Sequence, residues 1–396
     1  MKKICIQLLL FSVLFIINSC NCEFENSNID KTSSINYMQT SLAIKDTIVI
    51  KLNNITNYTY SFVYQNIEGD EYISQINKDK NICVLYNLHS TYSKMQKFIS
   101  YGAQGLGQVR FAKYINWDSI FVIRYRTTEV YLIDSSNNIL NKYDINNISS
   151  KYRVLNISAN SKFELICQKG NLYLEGIPPA KVFSKEYWKF PTGIKYNIAS
   201  NLAYNYTGIY PEIYNTGICF GTYNFSPNRV LSNDGKEVYS FSMDNRLFVY
   251  KDTSLLGAYS VKSKHDFEDA PVPSKKLTGY NFNDDWLYEV QRGSYKKLIY
   301  DQYKNLIYRI VALPAEPYDA DGFKTEIRDK PFSIQIIDSS FRLIGEVDFP
   351  AKTYDYRNTF ASKKGLLISL NNENNPSLEE DKLKLAVFQL SKMYEE

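Results

Sequence analysis

One unit recurs along this chain and limits what it can fold into: an apolar strand, a polar turn and a second amphipathic strand. Val130-Tyr131-Leu132-Ile133-Asp134 passes through Ser135-Ser136-Asn137-Asn138 into Ile139 to Ile145. Ser333 to Asp338 leads through Ser339-Ser340 into Phe341 to Val347, and Leu247 to Asp252 leads into Leu255 to Val261. Ile82 to Leu88 followed by Tyr92 to Ile99 is a looser copy. Another turn and strand precede each copy, such as Ser119 to Arg126 after Trp117-Asp118, or Glu237 to Met243 after Asp234-Gly235. A lone unit of this kind cannot cover its apolar face and must stack on its neighbours. Four short antiparallel strands per unit, repeated radially, predict an all-β chain folded as a single β-propeller. No window carries a capped apolar stripe of helical period, so helices are not expected. An array of β-sandwiches is the competing architecture.

The chain after residue 40 supplies roughly 59 residues per blade for six blades and roughly 51 for seven, against about 40–50 in familiar blade repeats. Counting hairpins favours six four-stranded blades, at 57–100, 108–146, 150–223, 227–263, 294–350 and 354–392. Residues 264–293 remain as a long connection with room for strands of its own. The last blade shows only three clear strands. Leu42 to Leu52 supplies the fourth, and an N-terminal strand that closes the ring removes a free sheet edge.

The chain begins with an address. Lys2 and Lys3 precede an apolar run from Ile4 to Ile17. That run is too short to span a bilayer and has the form of an export signal. Ile17-Asn18-Ser19-Cys20 resembles the bacterial lipobox, which implies cleavage after residue 19 and lipid attachment at Cys20. Several acyl chains anchor stably where one is marginal. Asn21 follows where an Asp would hint at inner-membrane retention, so the outer membrane is expected, facing either the periplasm or the cell surface. The expected organisation is a lipoprotein signal (1–19), a flexible polar tether (20–40) and one propeller domain (41–396). Cys83, Cys167 and Cys219 lie singly in apolar runs and read as buried small hydrophobes, although an exported chain permits disulfides. Cys22 sits in the tether.

Lipobox, tether, the Gly102-Ala103-Gln104-Gly105-Leu106-Gly107 connection, Asp118-Ser119-Ile120-Phe121-Val122 and the strand ending Leu132-Ile133-Asp134 occur in this order. Together they resemble the DUF4221-type six-bladed propeller lipoproteins of Bacteroidetes. The resemblance implies a cell-envelope propeller and brings no catalytic residue with it.

No chemistry stands out locally. With 46 basic against 42 acidic residues, the net charge of +4 leaves no electrostatic footprint for nucleic acid. His89 and His265 are the only histidines. His89 reads as a surface turn, and His265-Asp266-Phe267-Glu268-Asp269 as a solvated linker rather than a metal site. Asp319-Ala320-Asp321-Gly322 fails as a calcium loop, because Gly322 at the sixth position puts Pro317 first and Arg328 twelfth. The glycines at 102, 105 and 107 lack the Lys-Ser/Thr of a phosphate loop and are expected to serve turns. No catalytic residue, metal site or cofactor is therefore assigned. Asp46-Thr47-Ile48 and Asp118-Ser119-Ile120 resemble the Bacteroidetes O-glycosylation sequon, which makes Thr47 and Ser119 candidate modification sites.

The 34 Tyr and 22 Phe exclude a disordered chain. The excess Tyr accompanies abundant Asn, Ile and Lys, all encodable by A/T-rich codons, so most of it marks strands. One cluster in the enlarged third blade is the expected binding surface: Tyr187, Trp188, Tyr196, Tyr204, Tyr206, Tyr210 and Tyr214, since rings with a polar tip suit sugars or protein partners. Two functions follow. One is a monomeric, non-catalytic binding module for a protein, peptide or glycan; the other is a carbohydrate-active enzyme whose paired carboxylates need leave no local signature.

Overall fold

The computed structural model describes residues 30–31, 40–102, 105–146, 156–157, 165–181, 184–216, 220, 224, 226–265 and 282–392. Contacts separate residues 1–30 from 31–396, and the propeller lies in the second unit. The described strands form six antiparallel sheets in chain order, the blades of one propeller. Their inner strands are Val63–Ile67, Val109–Asn116, Ile166–Gln168, Asn228–Leu231, Ser294–Asp301 and Asp355–Ser362. Neighbouring inner strands touch, as Val63–Ile67 does Val109–Asn116 and Ser294–Asp301 does Asp355–Ser362.

Burial follows position in the blade. Middle strands, covered on both faces by adjacent blades, are buried throughout, as in Phe332–Ile337 and Gly365–Ser369. The outer strand Ile139–Asp144 keeps only Tyr143 buried. Six apolar clusters fill the six blade interfaces, one at each. The interface between blades 4 and 5 adds a clamp: the fully buried Arg309 donates to Ser240 Oγ (2.8 Å) and to the carbonyls of Asn245 (2.7 Å) and Asp244 (2.6 Å). Its guanidinium lies 3.4 Å from the centre of the Tyr295 ring.

The ring closes as the sequence indicates. Thr40–Lys51 pairs antiparallel with Lys382–Lys392, from Thr40 opposite Lys392 to Lys51 opposite Lys382, with a bulge between Ile44 and Asp46. A Cβ on Gly345 would stand 2.0 Å from the Thr40 carbonyl oxygen, so glycine there lets the closing strand start against blade 5.

Two expectations need correction. The connection 264–293 contains a helix, Phe282–Gln291, and no strand among its described residues, and a short helix, Lys185–Trp188, capped by Ser184, interrupts blade 3. The first was invisible to an apolar-stripe search because its buried face is charged. Asp285 and Glu289, one turn apart, are both buried, and Glu289 pairs with Lys296.

The two faces of the ring differ. Turns joining first to second strands are short: 68–69, 117–118, 169–170, 232–235, 302–305 and 363–364. The opposite face carries the long connections 313–331 and 370–381 and the described parts of 178–192, 208–227 and 261–293. Enlarged loops on a rigid scaffold are where binding groups usually reside.

Candidate binding channel

The six inner strands enclose a channel of about 390 Å³ toward the short-turn face. Each contributes lining residues, among them Tyr64, Lys113, Cys167, Arg229, Lys297 and Phe360. Lys297 Nζ donates to the carbonyls of Arg357 (2.9 Å) and Thr359 (3.0 Å) and lies 5.2 Å from the Phe360 ring centre. Its ammonium is therefore held in place. Lys113, half-buried on the wall of blade 2, forms no ion pair among the described residues. The described lining contains no carboxylate. A cationic, partly aromatic channel of this size suits an anionic or carbonyl-rich group.

The wall beside Arg229 is unusual. Its Nη1 donates to the Leu174 carbonyl (2.9 Å) and stands 3.5 Å from Glu237 Oε2, and its buried Nη2 has no partner. Behind it lie Glu237 and Glu175, both fully buried. Burial lifts the Glu237 carboxyl above its usual range against the pull of Arg229, and Tyr239 and Thr207 donate to it. Neither oxygen of Glu175 has a hydrogen-bond partner. Burial pushes its pKa up to about 7, with Arg229 and Thr192 opposing and Glu237 adding. These two carboxylates converge on an arginine inside the protein and stand outside the lining.

At the short-turn mouth, Glu71 ties three blades together. Its carboxylate accepts from Tyr64 Oη (2.6 Å), Tyr303 Oη (3.1 Å) and the Lys363 amide (2.8 Å), with His89 Nε2 at 2.8 Å. Burial alone would raise its pKa, but these hydrogen bonds outweigh burial and hold it low. Tyr64 and Tyr303 oxygens are 3.0 Å apart, so blades 1 and 5 meet across the mouth past blade 6. Burial also raises the Cys167 thiol, which the charge of Lys113 only partly offsets, and raises Cys83 to about 12. Both are free thiols. Among the described residues no group of three His, Cys, Asp or Glu is placed to hold a metal ion.

The tyrosine cluster proposed as a surface is core instead. Tyr187, Trp188, Tyr210 and Tyr214 are buried with Phe220 against Tyr239 and Phe241 of blade 4, filling the interface between blades 3 and 4. Tyr196 is fully buried in the next interface, 5.6 Å from the Tyr143 ring. Their polar tips find partners inside, as Tyr214 Oη donates to the Asn224 carbonyl (3.0 Å). Only Tyr204 is half-exposed, and the Tyr206 side chain lies outside the described residues. Thr47 is exposed on the closing strand and Ser119 half-buried at a strand start. His265 pairs with Asp348 (2.7 Å), whereas 266–269 lie outside the described residues, as do Cys20, Cys22, Cys219, the signal and most of the tether. Asp319 Oδ1 accepts the amides of Asp321 and Phe323, a turn as expected.

The family described as "Domain of unknown function (DUF4221)" matches residues 32–348. A crystal structure of a DUF4221 member from Bacteroides vulgatus ATCC 8482 is similar at a TM-score of 0.75 and 21% identity, over 90% of this chain and 99% of that one. A protein from Bacteroides fragilis NCTC 9343 reaches 0.46 at 9% identity, over 93% of this chain and 100% of that one. A luciferin-regenerating enzyme reaches 0.43 at 12% identity, over 86% and 95%. Comparison with curated proteins gives no match. No helix among the described residues is long and apolar enough to cross a membrane.

Proposed function

The chain belongs to the DUF4221 family, and from that premise we propose that it is a cell-envelope binding propeller that holds an acidic group of a glycan, peptide or protein in its central channel without cleaving it. The observation that carries this reading is the channel wall: cationic Lys113 and Lys297, aromatic rings, and no carboxylate in the described lining. A glycosidase of the usual kind needs two carboxyl groups about 5–9.5 Å apart flanking the bond it breaks. Here the converging pair, Glu175 and Glu237, is sealed behind Arg229, and Glu71 is saturated by four donors. The carbohydrate-active alternative thus loses the feature that would favour it.

The order Lys2-Lys3, Ile4 to Ile17 and Ile17-Asn18-Ser19-Cys20 supports export and lipid attachment at Cys20, with an outer-membrane address. Cys20→Ala is expected to move the protein from the membrane to the soluble fraction, and continued membrane retention would refute the anchor. For the channel, an array of acidic and neutral glycans and peptides is expected to retain the protein on acidic members only. Equal retention on neutral members would overturn the assignment.

A further inference from the structure

The long-connection face carries a second cavity, of about 670 Å³, where blades 1 and 2 meet. It is lined by the connection 54–61, by the turn-side end of the strand Asp70–Asn77 with Lys78 and Asp79, and by Arg110 to Ala112. Most of its polar groups are spent on its own floor. Gln75 exchanges hydrogen bonds with the Asn57 amide and carbonyl (both 2.8 Å), Asn77 donates to the Ile55 carbonyl (2.7 Å), and Thr56 Oγ1 meets Tyr86 Oη at 2.6 Å. These bonds fix the shape of the cleft.

Arg110 is the exception. Its guanidinium lies 4.3 Å from the centre of the Tyr125 ring, and Arg126 stands over the same ring at 5.0 Å. Stacking fixes the plane of the fork. Yet the buried Nε has no partner, and Arg110 forms no ion pair among the described residues. Asp79, the one carboxylate in the described lining, is exposed and forms no ion pair there. Tyr60 completes the cleft with a ring that is 66% exposed.

A stacked, unfilled guanidinium is pre-organised for a planar carboxylate, an exposed phenol ring offers a face for a sugar ring, and the volume falls within the range of small-ligand pockets. The geometry points to a separate site here for a sugar acid, its carboxylate on Arg110 and its ring against Tyr60. The site stands on its own observations and does not rest on the channel reading.

Calorimetric titration of the detergent-solubilised full chain tests it in a Lys113→Glu background, which removes the acidic-group binding proposed for the channel, with digalacturonate, neutral galactobiose and the dipeptide glycyl-phenylalanine as probes. Digalacturonate is expected to bind and the other two to bind about tenfold more weakly or worse. Arg110→Met keeps the stacked bulk and removes the fork, and should weaken digalacturonate about tenfold or more, as loss of a charged hydrogen bond does. Tyr60→Ala should weaken it as well. Each variant is checked for an unaltered melting temperature, and an Arg110 variant that melts early is replaced by Arg110→Lys, which should bind more weakly than its Lys113→Glu parent. No binding of digalacturonate at millimolar concentration, equal binding of galactobiose, preference for the dipeptide, or full affinity in Arg110→Met would each overturn the assignment.

Discussion

Glu175 is a carboxyl group buried near Arg229 with neither oxygen in a well-formed hydrogen bond, and its titration should be visible in the stability of the whole protein. Burial lifts its pKa to about 7 from the ordinary 4.5, even though Arg229 and Thr192 pull it down. In the unfolded chain the proton leaves near 4.5, and in the folded chain near 7. Between those values the folded state holds the extra proton, so the contribution to stability is complete below about 4.5 and is lost as pH rises through 7. The separation corresponds to about 3 kcal/mol. Glu175→Gln mimics the protonated acid at every pH. Urea denaturation of both proteins from pH 4 to 8.5 should show the variant gaining on wild type by up to about 3 kcal/mol across the window and levelling off above about 7.5. A difference that stays flat, or one in which wild type gains with rising pH, would mean that Arg229 holds Glu175 ionised and would refute the reasoning. The consequence reaches the channel, because ionised Glu175 adds negative charge behind Arg229 and should weaken binding of an anion above pH 7.

Three further outcomes are expected. Arg309→Leu strands the Asp244 and Asn245 carbonyls at the interface of blades 4 and 5 and should cost about 2 kcal/mol or more, at about 1–3 kcal/mol for each buried acceptor left unpaired; a denaturation midpoint within error of wild type would count against the clamp. Tyr210→Ala empties a site packed among Trp188, Tyr214 and Phe241 and should cost about 3–5 kcal/mol with no change in ligand affinity; lost affinity at full stability would restore the cluster as a surface. Lys330 is buried, and burial lowers its pKa to about 7 despite Glu289, so the folded state binds fewer protons than the unfolded one between about 7 and 10.5. Wild type should therefore gain stability over Lys330→Met as pH rises through that window, and an unchanging difference in melting temperature would contradict it.

The blade repeat was legible because each strand alternates locally and each turn announces itself with Asn, Asp, Ser or Gly. Even the split last blade could be assembled, since Leu42 to Leu52 was a strand without a neighbour and the C-terminal blade lacked one. The helix Phe282–Gln291 was not legible as an apolar pattern, because Asp285 and Glu289 face inward to bonded partners. The tyrosines misled for a related reason. A phenol ring suits a wet surface and a core alike, and only the acceptors waiting inside, such as the Asn224 carbonyl for Tyr214, decide between them. Lys113 and Lys297 went unnoticed because a lysine in a strand reads as solvent-facing. Their shared channel exists only once inner strands from Val63–Ile67 to Asp355–Ser362 are brought round one axis. A local hint was present: Ala112-Lys113-Tyr114 and Lys297-Leu298-Ile299 set a lysine directly beside the apolar residues of an inner strand.

The central claim is that the channel retains an acidic ligand and does not transform it. The most direct measurement incubates the Arg110→Met chain, whose cleft between blades 1 and 2 is disabled, with acidic oligosaccharides and peptides and follows both retention and product by mass spectrometry, beside the same chain carrying Lys113→Glu. Intact ligand should be retained by the first, retention should be lost in the second, and neither should yield product. Reproducible turnover of any ligand, or retention undiminished by Lys113→Glu, would contradict it.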